Sequence, residues 1–151
     1  MPIKYQTGDL LLTHADVIAH GVAAYGIEDM ATGVAKQLNE AMPESYKEFK
    51  KLRRKGFKPG EVVLCTNTFP YVAYLATQPD LYHAELPFVN HALRGLRKLL
   101  EKEGMDSCAL PKIGCGYGKL DWGKVQPIIE ERLSDSSVEF TIYDIGDATK
   151  K

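Results

Sequence analysis

Apolar positions along this chain alternate between short strand-like runs and stretches with helical spacing. Ile3 to Gln6 is a short first strand, and Leu10-Leu11-Leu12 follows a Gly8-Asp9 turn. Val17-Ile18-Ala19 is an apolar run between Asp16 and the small residues after His20, and it reads as a buried strand ending near His20. From Ala31 to Met42, Val34, Ala35, Leu38 and Ala41 recur at helical steps. Pro43 interrupts that pattern and can open a second helix at its first position. This helix, roughly Glu44 to Lys55, puts Tyr46, Phe49 and Leu52 on one face, and Gly56 stands where a C-terminal cap is expected. Glu61 to Cys65 and Tyr71 to Ala76 are rich in β-branched and aromatic residues and read as strands joined by a turn through Thr66 to Pro70. Pro87 to Glu103 carries the clearest helical period, through Phe88, Val89, Ala92, Leu93, Leu96, Leu99 and Leu100, and Gly104 ends it. Ser107 to Ile113 is another buried strand. A helix follows from about Gly123 to Leu133, and Pro127 fits it only within the first turn, where N–H groups lack intrahelical partners. Val138 to Tyr143 alternates and closes the sheet. The order β-β-α-α-β-β-α-β-α-β predicts an α/β fold, a sheet covered by helices on both faces.

Composition narrows the class. The 151 residues suit a single domain over the whole chain, 1–151, with 44% hydrophobic and 26% charged residues, a soluble globular mix. Net charge is −1, so a nucleic-acid-coating protein with a strong basic excess is excluded. Cys65, Cys108 and Cys115 cannot form a fully paired disulfide framework. His14, His20, His83 and His91 sit in no zinc pattern, so neither a metal nor a cofactor is expected. The N-terminus lacks a signal-peptide layout and no run approaches the ~18 apolar residues of a membrane span. The expectation is a cytoplasmic protein with reduced thiols, acting as a monomer without membrane contact.

Two strand-to-helix junctions are made of small residues: Asp29-Met30-Ala31-Thr32-Gly33-Val34, and Gly114-Cys115-Gly116-Tyr117-Gly118. Small residues let backbone N–H groups approach an anion, and helix N-termini add positive dipole. Two such loops flanking one crevice suit a diphosphate; the alternative is that both are merely tight turns. Gly118-Lys119 does not make a P-loop, because Ile113 stands at the first glycine and Leu120 replaces Ser/Thr. The dinucleotide fingerprint fails as well, since the glycines run 114, 116, 118.

Several segments together resemble a known family. Gly8-Asp9-Leu10, Ile18-Ala19-His20 and Met30-Ala31-Thr32-Gly33-Val34-Ala35 look like the first half of a macrodomain. Tyr74-Leu75-Ala76-Thr77, Leu110-Pro111-Lys112-Ile113-Gly114-Cys115-Gly116, Leu120-Asp121-Trp122 and Val138 to Tyr143 look like its second half. The resemblance runs from Tyr5 to about Asp144. It is closest to the branch with terminal ADP-ribose glycohydrolase and the ADP-ribose 1''-phosphate processing proteins. It implies a three-layer α/β/α fold with a mixed central sheet and a cleft for ADP-ribose or an ADP-ribosylated substrate. Carried over, Asp9 accepts from the adenine amino group with the Leu10 backbone beside it. Met30, Ala31, Thr32, Gly33 and Val34 form the first phosphate loop. Gly114, Cys115, Gly116, Tyr117 and Gly118 form the second, Thr77 belongs to the ligand-facing strand end, and Tyr143 borders the adenine.

The departures bear on chemistry. The glycohydrolase branch has a lysine directly after the Y-L-x-T strand and an aspartate in the second loop; here those positions are Gln78 and Gly118. Another branch has an asparagine after the second strand and an aspartate in the first loop; here these are Ala23 and Ala35. A Schiff-base route through lysine is therefore closed. His20, at the expected end of the second strand, and Gln78, Asp80, Tyr82 and His83, after the Tyr71 to Ala76 strand, are the polar candidates for acid–base work near neutral pH. His20 as an interior histidine and His83 as a solvated one are the alternatives. Cys115 lacks a nearby base in sequence and reads as a small packing residue, and Trp122 as an anchor for its loop. Two functional classes stay open: an enzyme acting on ADP-ribose 1''-phosphate or ADP-ribosylated macromolecules, and a non-catalytic ADP-ribose reader. Lys47, Lys50, Lys51, Arg53, Arg54, Lys55 and Lys58 form either a solvated helix face or a contact for an acidic macromolecule.

Overall fold

A computed structural model describes residues 2–24, 33–80, 83–115 and 119–144. Six strands form one mixed sheet: β1 (Lys4–Thr7), β2 (Val17–Ala23), β3 (Val62–Cys65), β4 (Tyr71–Gln78), β5 (Ser107–Pro111) and β6 (Glu139–Asp144). Their order is β1-β6-β5-β2-β4-β3. All neighbours are parallel except β3, which runs antiparallel to β4 with Val62 opposite Leu75. The chain feeds β5 and β6 to one side of β2 and β4 to the other. That reversal opens a crevice at the carboxyl ends of the strands, where open α/β sheets hold ligands.

Four helices cover the sheet: α1 (Gly33–Ala41), α2 (Pro43–Arg54), α3 (Leu86–Lys102) and α4 (Trp122–Leu133). Alternate strand residues divide the core. Val17, Ala19, Ala73, Leu75, Leu110 and Phe140 pack against Val89, Leu93, Leu96, Ile129 and Leu133 of α3 and α4. The opposite strand faces carry two smaller clusters. Val22, Val72, Tyr74 and Ala76 meet Phe49 of α2, and Ile18, Ala109 and Tyr143 meet Val34 and Leu38 of α1. The predicted three-layer α/β/α architecture is the one observed.

Helix α2 is fastened by aromatic stacking. Phe49 lies parallel to Tyr74 with ring centroids 4.1 Å apart, and Phe57 packs edge-on to Phe49 at 5.3 Å. Beside them the Ser45 and Tyr74 hydroxyls share a buried 2.7 Å hydrogen bond. Among the described residues no helix is long and apolar enough to cross a membrane.

Beyond shifts of one or two residues at other ends, such as β4 running to Gln78 rather than Ala76, three features differ from expectation. Strand β2 continues past Ala19 and His20 to Ala23, because β4 offers it a partner as far as Gln78. Strand β5 stops at Pro111 rather than Ile113, since Gly114 adopts a left-handed φ of 79° and Cys115 N–H turns back to Lys112 O at 3.2 Å. Pro127 lies in the sixth position of α4, beyond the first turn. Both Pro127 and Gly123, whose carbonyl loses its helical donor, are exposed, so water can solvate the freed carbonyl.

Candidate functional site

The carboxyl edge of the sheet gathers most of the sequence-derived candidates. Gly8, at the end of β1, donates to Asp144 O at 3.2 Å, and Asp9 then caps the 3-10 turn Leu10–Leu12 by accepting from Leu11 N at 2.9 Å. Asp9 is exposed, and one carboxylate oxygen, Oδ2, has no partner among the described residues. It remains open to an amino group. Leu10 is buried with Val34 and Tyr143 in one cluster, so the first-strand motif, the start of α1 and the end of β6 meet. Tyr143 is only 7% exposed and donates through its hydroxyl to Thr13 Oγ1 at 3.2 Å. Its ring is thus a fixed wall. Thr13 is a supporting residue that sequence reasoning missed, and no motif marks it.

Helix α1 begins at Gly33, where first-turn N–H groups have no intrahelical partners. Met30, Ala31 and Thr32 lie outside the described residues, as do Tyr82, Gly116, Tyr117 and Gly118. The second loop is anchored on both sides. Gly114 O accepts from Leu120 N at 2.9 Å, which closes the loop, and Asp121 caps α4 by accepting from Gly123 N at 3.1 Å. Its left-handed φ of 79° favours glycine at Gly114, and a Cβ there would also push the Leu120 side chain aside, 2.9 Å from Cδ1. Lys112 bridges the ends of β5 and β6 through a 3.1 Å pair with Asp144, and its ammonium lies 5.3 Å from the centre of the Trp122 ring. Trp122 packs on the main core, consistent with an anchor. Burial pushes the Cys115 thiol up to about 11, so this residue holds no thiolate at neutral pH.

The segment after β4 forms a connected polar group. Gln78 is buried, its Nε2 donates to Asp80 O at 2.7 Å, and Thr77 Oγ1 donates to its Oε1 at 3.3 Å. His83 Nδ1 lies 2.7 and 2.9 Å from the two carboxylate oxygens of Asp80. A carboxylate on Nδ1 favours the tautomer with the proton there and leaves Nε2 facing outward as an acceptor. Both side chains are more than half exposed. The i,i+3 spacing of Asp80 and His83 was visible in the sequence; their pairing was not.

Two candidates occupy different places from those expected. His20 is inside β2 rather than at its end, 1% exposed, and desolvation lowers its pKa to about 3. Its ring is neutral at physiological pH and does not reach the solvent side. Thr77 is completely buried and stands against Gly21, facing away from the α1 side of the sheet.

A protein-family model described as "Macro domain" matches residues 23–129. The ADP-ribose glycohydrolase OARD1 of Homo sapiens is 27% identical over 145 residues, spanning 93% of this chain and 90% of that protein. The DNA ADP-ribosyl glycohydrolase of Thermus aquaticus is 26% identical over 149 residues, covering 94% of this chain and 41% of the relative. The solved macrodomain of Thermus aquaticus DarG superposes with a TM-score of 0.86 at 25% identity, over 94% of this chain and 97% of that one.

Proposed function

This chain belongs to the macro domain family, homologous to ADP-ribose glycohydrolases, and from that premise we propose that it binds ADP-ribose in the carboxyl-edge cleft and hydrolyses ADP-ribose derivatives. The observation that supports the hydrolytic part is the hydrogen-bonded Gln78–Asp80–His83 group at the carboxyl end of β4. In this reading Asp9 takes the adenine amino group and the Leu10 backbone lies beside it. Tyr143 walls the base, backbone donors of Met30 to Val34 and of Gly114 to Gly118 hold the diphosphate, and Thr77 supports the floor from behind. The whole chain, 1–151, acts as one domain, a monomer in the cytoplasm. The Lys47 to Lys58 face meets an acidic macromolecule that carries the ADP-ribose.

His83 is the general base of the proposed reaction. Nε2 takes a proton from water as the water oxygen bonds to the anomeric carbon of the distal ribose. The bond from that carbon to the macromolecule breaks, the leaving group takes a proton from solvent, and the His83 imidazolium returns its own to solvent. Asp80 holds the ring and stabilises the imidazolium, and Gln78 fixes the Asp80 backbone. Loop N–H donors stabilise charge on the ribose and phosphates. On ADP-ribose 1''-phosphate the same water attacks phosphorus and the phosphate–ribose bond breaks. With Gln78 and Gly118 in place of a lysine and an aspartate, no covalent lysine adduct forms.

The second reading, a reader that binds without turnover, is favoured by that same replacement. A turnover panel of ADP-ribose 1''-phosphate, ADP-ribosylated protein and ADP-ribosylated DNA or RNA separates the two. Release from any member supports the hydrolase. Calorimetric ADP-ribose binding with no release from any supports the reader, and absence of ADP-ribose binding sinks both. A bulky side chain at Gly33 or Gly116 should abolish binding by filling the diphosphate position.

A further inference from the structure

Strands β2 and β4 keep one register from Val17 opposite Tyr71 to Val22 opposite Ala76, and then the step breaks, because Ala23 stands opposite Gln78. Thr77 is the extra residue of a β-bulge, a device that re-aims a side chain where pairing ends. Thr77 is completely buried, and its side chain packs over Gly21 of β2, where a Cβ would come within 2.7 Å of Oγ1. The bare backbone of Gly21 supplies the space that the Thr77 hydroxyl occupies.

The bulge leads directly into the polar group after β4. Successive side chains of an unbroken strand point to opposite faces. Here the Thr77 hydroxyl donates to Gln78 Oε1 at 3.3 Å, so two successive side chains meet. The other end of that amide is held as well, since Gln78 Nε2 donates to Asp80 O at 2.7 Å. The reverse orientation would set Oε1 against the Asp80 carbonyl, oxygen against oxygen. The bulge backbone is tied on both sides: Thr77 O accepts from Glu85 N, the N-cap of α3, at 3.2 Å, and Gln78 O accepts from Ala24 N at 2.8 Å. Asp80, whose carbonyl takes the amide donor, holds His83 Nδ1 with its carboxylate at 2.7 and 2.9 Å.

We propose that Thr77 is a positioning residue for the Asp80–His83 pair: through the Gln78 amide and the Asp80 backbone, its hydroxyl fixes the carboxylate that keeps the His83 proton on Nδ1 and leaves Nε2 to accept. This rests on the reading of His83 as the base and adds the buried group that aims it. Without the hydroxyl, Gln78 Oε1 loses that donor in a buried place, and the amide turns to find another. The Asp80 peptide then loses its fixed donor, and the exposed carboxylate swings away from the ring. The methyl of Thr77 serves packing and the hydroxyl serves this chain of contacts. Valine keeps the first and serine the second, so the two roles are separable.

Nitrogen-15 NMR of the histidine rings, with His83 assigned by its absence in His83→Ala, reads the tautomer whether or not substrate is turned over. In wild type the neutral ring should carry its proton on Nδ1. Thr77→Val should move much of the neutral ring to the Nε2–H tautomer. It should also lower kcat ~10-fold or more with KM near that of wild type, since a misplaced catalytic group costs up to ~10²-fold. Thr77→Ser should hold both readouts near wild type. Gln78→Met should reproduce Thr77→Val, and the two together should do no more than Gln78→Met alone, as residues acting in series require. Circular dichroism checks the fold of each; if Thr77→Val unfolds, Thr77→Ala against Thr77→Ser makes the same comparison. A pure packing role predicts the opposite order, with valine near wild type and serine impaired, and that order overturns the inference. An unchanged tautomer in Thr77→Val also overturns it, and loss of turnover in His83→Ala then leaves the base reading standing. A shifted tautomer alongside full turnover in His83→Ala supports the positioning chain and removes the base reading.

Discussion

His20 packs edge-on against Tyr74, with ring centroids 4.9 Å apart, and neither of its nitrogens has a hydrogen-bond partner among the described residues. Burial lowers its pKa to about 3, whereas the unfolded chain titrates near 6.5. Between those values the unfolded state binds a proton that the folded state refuses. Stability should therefore fall on acidification through this window, by about 1.4 kcal/mol per pH unit for this one group. His20→Leu should remove that share of the slope. Urea unfolding at several pH values checks it, and parallel curves for both proteins would contradict a neutral buried ring.

Gly21 owes its identity to a contact across the sheet. A Cβ there would lie 2.7 Å from Thr77 Oγ1 and 3.2 Å from its methyl carbon. Gly21 is held in register opposite Leu75 of β4 and Thr77 is completely buried, so relief must come from local distortion. Gly21→Ala should cost ~1–3 kcal/mol, as overpacking in a core does. Adding Thr77→Ala should recover part of that loss, a coupling expected only of residues in contact. Denaturant midpoints of the two single variants and the double variant measure it; simple additivity would refute the clash.

Asp9 has two tasks that two substitutions separate. Asp9→Ala removes both the cap on Leu11 N–H and the proposed acceptor for the adenine amino group. ADP-ribose affinity should drop by ~1.5–3 kcal/mol, the range for a hydrogen bond to a charged group. Asp9→Asn retains an acceptor oxygen for the cap and should fall between wild type and alanine. Calorimetric titration reads both, and unchanged affinity in Asp9→Ala would remove Asp9 from the site.

For the proposed hydrolysis, His83→Ala should lower turnover ~10²–10⁴-fold while ADP-ribose affinity changes little. Asp80→Asn should also slow turnover, because the ring loses its carboxylate. Borohydride treatment during turnover should trap no lysine adduct. An active enzyme whose His83→Ala variant keeps full turnover would transfer the base to another group.

The physical reason that fold and site differ in legibility lies in the range of their interactions. Periodicity is local, so the apolar steps of α3, the Pro43 start of α2 and the strand–helix alternation were readable from the chain alone. The glycine junctions and the motif from Leu110 to Gly116 are local signals too, and they are what directs the proposed cleft to the carboxyl edge. Strand length was not local. β2 runs through His20 because β4, more than fifty residues later, pairs with it as far as Gln78, and that pairing alone turned a candidate rim histidine into a buried neutral one. The orientation of Thr77 followed from its position on the far face of β4. Asp80 and His83 were individually visible, but only the folded chain sets their side chains 2.7 Å apart. Likewise the basic run of α2 was plain in the sequence, while the approach of its last residues to the carboxyl end of β4 came from the Gly60 and Glu61 bonds to Ala76.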